Sequence, residues 1–236
     1  MTFEDVQDKL KTLKALGFVK THRPGPTGIG KTLEDLVGIK ENNIPGSDIE
    51  NKIELKSERI GSNSMITLFT KSPLPYGVNN SLLEEFGYVT PQSKSKKILH
   101  TTLNSSSFNT LRGQVGLKIS FGTDKVFIES GTKSINAYWD KDLLKTRFEL
   151  KYNTLLLVRA STKHRGADEE FHFCEAYLLS GFSFDNFVKL LKTDDILTDI
   201  RIGQYPNGNA HDHGTGFRVN KDKLHLCFEK RIDLLA

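Results

Sequence analysis

Ile53-Glu54-Leu55-Lys56 alternates apolar and charged residues, and that period of two is the pattern of a half-buried strand. On such a strand Glu54 and Lys56 leave from one face, about 7 Å apart at ~3.3 Å rise per residue. Asp48 lies just upstream, after the Pro45-Gly46 turn signal, and can bend back to the same point. The segment therefore demands a sheet to receive it and gathers two acids and a lysine on one side. Carboxylate oxygens are what a hard ion such as Mg2+ binds, usually one or two of them, with phosphate and water completing the shell. An ammonium beside that ion can steer a water and offset charge building on a transferring phosphoryl group. The competing reading is a solvated strand face, and Glu50-Asn51-Lys52 offers a second Glu-x-Lys in another register. The later register is preferred because apolar residues interleave it and Asp48 precedes it at a workable distance.

At 236 residues the chain can form one large domain or two lobes sharing a cleft. No apolar run approaches the ~20 residues of a membrane helix, and the longest candidates, such as Leu155–Val158, suit a buried strand. The N-terminus is an amphipathic helix pattern, with Phe3, Val6, Leu10, Leu13 and Leu16 on one side, rather than a signal peptide. Cys174 and Cys227 show no Cys-x-x-Cys spacing and read as reduced core residues of a cytoplasmic protein. A net charge of +4 permits a polyanionic partner without requiring one.

The pattern predicts a helix over about 3–16, a Gly/Pro-rich loop at 24–30, and a short helix from Thr32. Strands follow at the Asp48–Lys56 segment, 65–69, 98–103, 115–121 and 125–129, with a helix at 81–86 and another after Asp140. Further strands are expected at 154–160, 171–179, 196–202 and 215–219, with a loop at 203–214, a helix at 184–191, and a final helix from about 221. Mixed α/β is the class these alternations imply.

Gly25-Pro-Thr-Gly-Ile-Gly-Lys31-Thr32 matches the P-loop pattern letter for letter. That motif needs a buried strand running into the loop, and Lys20-Thr-His-Arg-Pro24 is charged and ends in proline. The alternative is a basic loop feeding a short helix, from which Lys31 could touch a phosphate. A second constellation runs Asp199-Ile-Arg201, then Tyr205, then His211-Asp-His213-Gly-Thr-Gly-Phe-Arg218. Arginine and histidine at a sheet rim suit guanine edges, and aspartate suits cytosine N4. A His-x-His metal site and a plain solvated loop are the rival readings.

Taken together, Thr27–Leu36, Asp48…Ile53-Glu-Leu-Lys56, Leu68-Phe-Thr-Lys-Ser-Pro73, Asp199–Gly203 and His211–Arg218 resemble the MvaI/BcnI family of type II restriction endonucleases, in order and separation, over nearly the whole chain. The resemblance implies a PD-(D/E)xK, MutH-like core: a mixed sheet flanked by helices, with a DNA-binding cleft between a catalytic and a recognition lobe of one domain spanning 1–236. It implies catalytic Asp48, Glu54 and Lys56 with Glu34 as accessory acid, and Mg2+ on Asp48 and Glu54. DNA contacts are implied for Asp199, Arg201, Tyr205, His211, His213 and Arg218, with Thr70 and Lys31 added. The expected enzyme is a monomer that cuts double-stranded DNA at a CC-N-GG-like pentanucleotide with an A/T centre by sequential nicking, alongside a cognate methyltransferase. A MutH-like repair nickase is the alternative within nucleases, and a P-loop nucleotide-binding protein the alternative outside them. One departure stands out: the Asp48–Glu54 spacing is one residue longer than in the family, which a β-bulge would absorb.

Overall fold

Thr2 accepts a hydrogen bond from the Asp5 amide while Asp5 accepts one from the Thr2 amide, and this capping box starts the first helix. The computed structural model describes residues 2–39, 46–152, 154–165 and 168–236; the expected turn at Pro45 lies outside them. In chain order the elements are α1 (Phe3–Leu16), β1 (Val19–Lys20), α2 (Gly28–Val37), β2 (Ile53–Arg59), β3 (Ile66–Thr70), α3 (Val78–Phe86), β4 (Leu99–Leu103), β5 (Thr110–Leu111) and β6 (Gln114–Val115). Next come β7 (Leu117–Phe121), β8 (Lys125–Ser130), β9 (Ala137–Asp140), α4 (Lys141–Glu149), β10 (Thr154–Arg165) and β11 (Asp168–Ser180). The chain continues through α5 (Phe184–Lys192), β12 (Ile196–Gln204), β13 (Ala210–Asp212), β14 (Gly216–Val219) and β15 (Lys230–Asp233). The class is mixed α/β, as the sequence implies.

The contacts divide these elements into two units. The first comprises Met1–Ser64, Glu149–Ser183 and His225–Ala236. Its sheet runs β1-β11-β10-β2, with β15 also on β11. β10 pairs parallel with β2, setting Leu155 opposite Glu54 and Leu157 opposite Lys56, while the other pairings are antiparallel. As a central strand β10 is buried on both faces, which is why Leu155–Val158 is apolar without alternation. β2 is an edge strand and does alternate. Leu55 joins Leu156, Val158, Phe171 and Phe173 in a core covered by Val6 and Leu10 of α1 and Ile29 and Leu33 of α2.

The second unit comprises Met65–Phe148 and Phe184–Leu224. Its larger sheet runs β13-β12-β14-β3, with β13 and β14 along one edge of β12 and β4 along the other, and β7-β8-β9 forms a smaller one. Ile196, Thr198, Ile200 and Ile202 of β12 are wholly buried, above an aromatic cluster in which Phe69, Phe187 and Phe217 meet at centroid distances of 5.0–5.2 Å.

Several expected boundaries move. Helix α2 begins at Gly28, not Thr32, because the glycine there serves close packing rather than a loop: a Cβ would lie 2.2 Å from the Arg23 carbonyl oxygen. The loop expected at 203–214 contains β13. In place of a final α-helix the chain makes a 3-10 helix, Lys221–Leu226, and then β15. All four β15 residues are exposed; backbone pairing to β11 and the Arg231 guanidinium over the Tyr177 ring, 3.7 Å from its centroid, hold them, and no side-chain period announces the strand. Cys227 is buried but Cys174 is only half-buried; both are free thiols.

Candidate active site and nucleic-acid interface

Asp48 reaches β2 through a tight turn. Ile49 and Ile53 bridge antiparallel, with Glu50 and Asn51 in the left-handed region at φ 52° and 54°. This reverse turn, not a bulge, absorbs the extra residue between Asp48 and Glu54. It returns the Asp48 carboxylate to the strand, where Oδ2 accepts from the Leu55 amide at 2.8 Å, and leaves Glu50 exposed on the turn. The structure thus brings Asp48 and Glu54 together and sets Glu50 apart.

Glu54 is 2% exposed and has a lysine on each oxygen: Lys56 Nζ is 2.6 Å from Oε1 and Lys151 Nζ 3.0 Å from Oε2. Lys151 also donates to the Gly46 carbonyl at 2.6 Å, so one ammonium ties Glu54 to the segment that carries Asp48. Asp48 as a residue is exposed, yet its carboxyl is held above the ordinary carboxylate value. Loss of water around the inward-turned tip is the main cause and the Glu54 charge the second, while the Leu55 amide, Lys151 and Lys56 pull the other way. Tyr152 is fully enclosed, and burial, then Glu54, Cys227 and Asp48, push its phenol well above its usual value, so it stays un-ionised. Nothing in the sequence singled out Lys151 or Tyr152; they approach Glu54 only because β10 pairs with β2.

Glu34 is half-buried on α2 and shares the wall of a concavity of about 340 Å3 with Lys31, Leu55, Lys56 and Ser57. It does not complete a three-acid group: among the described residues no set of three His, Cys, Asp or Glu side chains is placed to hold a metal. The P-loop reading fails on geometry. The strand before the motif is two residues long. Thr32 is wholly buried, and its hydroxyl donates to the Gly28 carbonyl at 2.7 Å and accepts from the His22 amide at 2.9 Å. Lys31 pairs with Asp35 at 2.8 Å, and Arg59 donates to the carbonyls of Gly25 and Pro26.

The second unit assembles the other constellation on the polar face of its sheet. Because β12 buries alternate residues, Leu197, Asp199, Arg201 and Gly203 share the opposite side. The register places Thr102 and His100 of β4 opposite Asp199 and Arg201, Arg218 of β14 opposite Leu197, and His211 of β13 opposite Gly203. Asp199 is nearly buried, and each of its carboxylate oxygens is engaged by a protein group. Oδ1 accepts from Thr102 Oγ1 at 3.0 Å and Oδ2 from Arg201 Nε at 2.7 Å. Arg218 Nε lies 3.0 Å from the same Oδ2 but off the hydrogen-bond direction, so that contact is ionic.

Tyr205, His211 and His213 stack in series, with centroids 4.3 and 4.4 Å apart, and His100 meets His213 edge-on at 6.3 Å. Face-to-face rings do not converge their nitrogens on a metal, which removes the His-x-His reading. Gly203 makes room for this stack, since a Cβ there would lie 2.4 Å from His213 Nε2. The pKa of His100 is lowered by burial first and then by Arg201 and His213, which keeps its ring neutral. His100 and Thr102 were missed in the sequence; β4 runs His-Thr-Thr between two leucines, with no alternation to mark the face they take. Thr70 ends β3 opposite Gly216 of β14.

No curated protein sequence matches the chain. Among solved structures, one described as "Restriction endonuclease MvaI-cognate DNA substrate complex" superposes with a TM-score of 0.85 at 27% identity, covering 99% of both chains. "Restriction endonuclease MvaI in the absence of DNA" superposes with a TM-score of 0.60 at 28% identity, covering 99% of this chain and 98% of that one. The family model described as "MvaI/BcnI restriction endonuclease family" matches residues 7–228, and the chain belongs to that family.

Proposed function

We propose that this restriction endonuclease is a type II enzyme that hydrolyses double-stranded DNA at a CC-N-GG-like pentanucleotide with an A/T centre, using Mg2+. The observation that carries the reading is the Asp48–Glu54 carboxylate pair beside Lys56 on an edge strand. The donor set fits a hard divalent cation: every candidate ligand atom is oxygen, and the two carboxylates crowd each other enough for Glu54 to raise Asp48. Asp48 and Glu54 would hold the ion, and such an ion supplies Lewis acidity toward the scissile phosphate and a lowered pKa for a bound water.

The chain's own residues do the rest. Lys56 orients the attacking water and neutralises developing charge. Lys151 steadies Glu54 and, through the Gly46 carbonyl, the approach of Asp48. Glu34 stands by as accessory acid, and Lys31 on the same concavity contacts backbone phosphate. In the second unit Arg201 and Arg218 read guanine O6 and N7, held flat by Asp199, while Tyr205, His211, His213 and Thr70 make groove contacts.

The two units act as the catalytic and recognition lobes of one domain spanning 1–236. The enzyme works as a cytoplasmic monomer, nicks one strand and then the other, and is accompanied by a methyltransferase that protects host sites. No helix among the described residues is long and apolar enough to cross a membrane. The test is incubation of the purified chain with supercoiled plasmid, with and without Mg2+. Nicked circles that precede linear product, at discrete sites, support the reading. Metal-independent cutting, or nicking that never proceeds to linear DNA, would replace it.

A further inference from the structure

The polar side of the second unit holds another concavity, of about 450 Å3, lined by Thr70, Lys71, Ser72, Arg147, Asp212 and Thr215. Two cations line it. Arg59, Arg159, Arg201 and Arg218 all sit on carboxylates. Lys71 and Arg147 are half-buried, and neither has a carboxylate partner among the described residues. A partly desolvated cation without a counter-charge costs stability unless something supplies that charge.

Both side chains spring from fixed roots. The Lys71 amide donates to the Thr215 carbonyl at 2.9 Å, and its own carbonyl accepts from the buried Trp139 indole at 2.8 Å. Arg147 stands on α4 beside buried Leu144 and Phe148, and the Phe148 ring packs against Phe69 and Phe187 at 6.1 and 5.6 Å. The one acid in the lining is already engaged. Asp212 Oδ1 accepts from the Gly214 and Thr215 amides at 2.9 and 2.6 Å, and Oδ2 from the Ser72 hydroxyl. It shapes the loop, and the concavity keeps a surplus of one positive charge. Thr215 is wholly buried, with its hydroxyl accepting from the Arg201 amide at 3.0 Å, and so fixes the wall, while half-buried Thr70 stands at the rim. A concave site on fixed backbone with one net positive charge suits a singly charged tetrahedral oxyanion.

We propose that this concavity seats one backbone phosphodiester of the bound duplex between Lys71 and Arg147, fixing the register in which the neighbouring strand meets the bases. The proposal rests on the restriction-endonuclease reading and adds a binding site to it. Its test uses duplexes carrying a neutral methylphosphonate at one backbone position at a time, with affinity measured in Ca2+ at several salt concentrations. The intact protein loses about tenfold affinity at one position, the scale of one charge-assisted contact. In Lys71→Ala and Arg147→Ala that position becomes indifferent. Both variants bind cognate and non-cognate duplexes more weakly by the same factor, and each lessens the salt slope by about 0.9. The double variant lessens it by no more than either single one, because the phosphate is shared. Lys71→Arg and Arg147→Lys keep the slope, which separates lost charge from lost fold.

An unchanged slope in both alanine variants would overturn the seat, as would a loss confined to the cognate sequence. Competition by millimolar inorganic phosphate beyond its ionic strength would assign the site to a free anion instead. If the intact protein bound no duplex at all, the endonuclease reading itself would fall.

Discussion

β2 and β12 each carry one nearly buried acid flanked by two cations, and the difference between them matches the reacting centre and the reading head proposed for the two strands. On Glu54 the cations are lysines, compact point charges, one on each oxygen: Lys56 from β2 and Lys151 from the turn before β10. On Asp199 they are arginines that converge on a single oxygen, while a threonine hydroxyl takes the other. A lysine releases its partner readily when a divalent ion arrives, whereas a guanidinium gripped through Nε keeps its planar outer edge aimed at a base. The same charge balance is built to be exchanged in one place and to persist in the other.

That contrast is broken most directly at Glu54 and Lys56. Either residue changed to Ala should lower single-turnover cleavage by about 10³-fold while cognate binding in Ca2+ stays within a few fold, since these groups act in the transition state. Glu50→Ala should be mild, and a severe loss there would restore the other register. Next in size is Lys151→Ala, with an expected drop of about 10²-fold in the same assay and a shift of the Mg2+ requirement to higher concentration. Normal cleavage by this variant would leave Lys151 a structural tie.

At the reading strand the effect should fall on discrimination. Arg201→Ala and Arg218→Ala should each cost roughly ten- to a hundredfold in cognate preference, the worth of one bidentate contact. Asp199→Asn should impair both arginines together. Duplexes with single substitutions, at fixed salt, measure this; uniform weakening with an unchanged specificity ratio would make the segment a backbone clamp. Gly203→Ala should cost only a few fold in cognate affinity, because its methyl meets the His213 ring, which can shift at some loss of stacking.

The smallest effect concerns a third pair, Arg59 at the end of β2 with Glu169, which serves neither role. Arg59 makes two 2.7 Å bonds to the Glu169 carboxylate and holds its pKa below the ordinary 4.5. A lowered folded-state value means stability present above the unfolded pKa and lost as pH falls through the folded one. Thermal unfolding between pH 6 and pH 3 should therefore show Glu169→Gln losing less than about 1 kcal/mol relative to the parent at the upper end, with the difference narrowing toward the lower.

The parts of the molecule legible in sequence are those where side-chain period and backbone shape agree. Val6, Leu10 and Leu13 gave α1 within a residue, and Ile200-Arg201-Ile202 gave β12 and the face its arginine would take. Glycines misled when they served contact rather than turning, as Gly28 does inside α2. β15 is exposed throughout and β1 is only two residues long, so neither carries a side-chain period that marks it. Within the candidate sites, residues on the leading strands were legible and their neighbours were not. Lys151, Thr102 and His100 owe their places to the pairings β10 with β2 and β4 with β12, and register between distant segments leaves no local trace.

The parallel pairing of β2 with β10 also sets a timetable. A parallel pair needs a crossover, and here the crossover is the stretch from Met65 to Phe148 that belongs wholly to the second unit. During synthesis Asp48, Glu54 and Lys56 leave the ribosome early, but the strand that seats Lys151 against them follows only after that stretch has emerged, and β15 closes the sheet last. Every truncated product that stops short of β10 consequently carries the acids without the scaffold that aligns them. With the catalytic roles proposed for these residues, a cell that makes a DNA-cutting enzyme is spared activity from its unfinished copies.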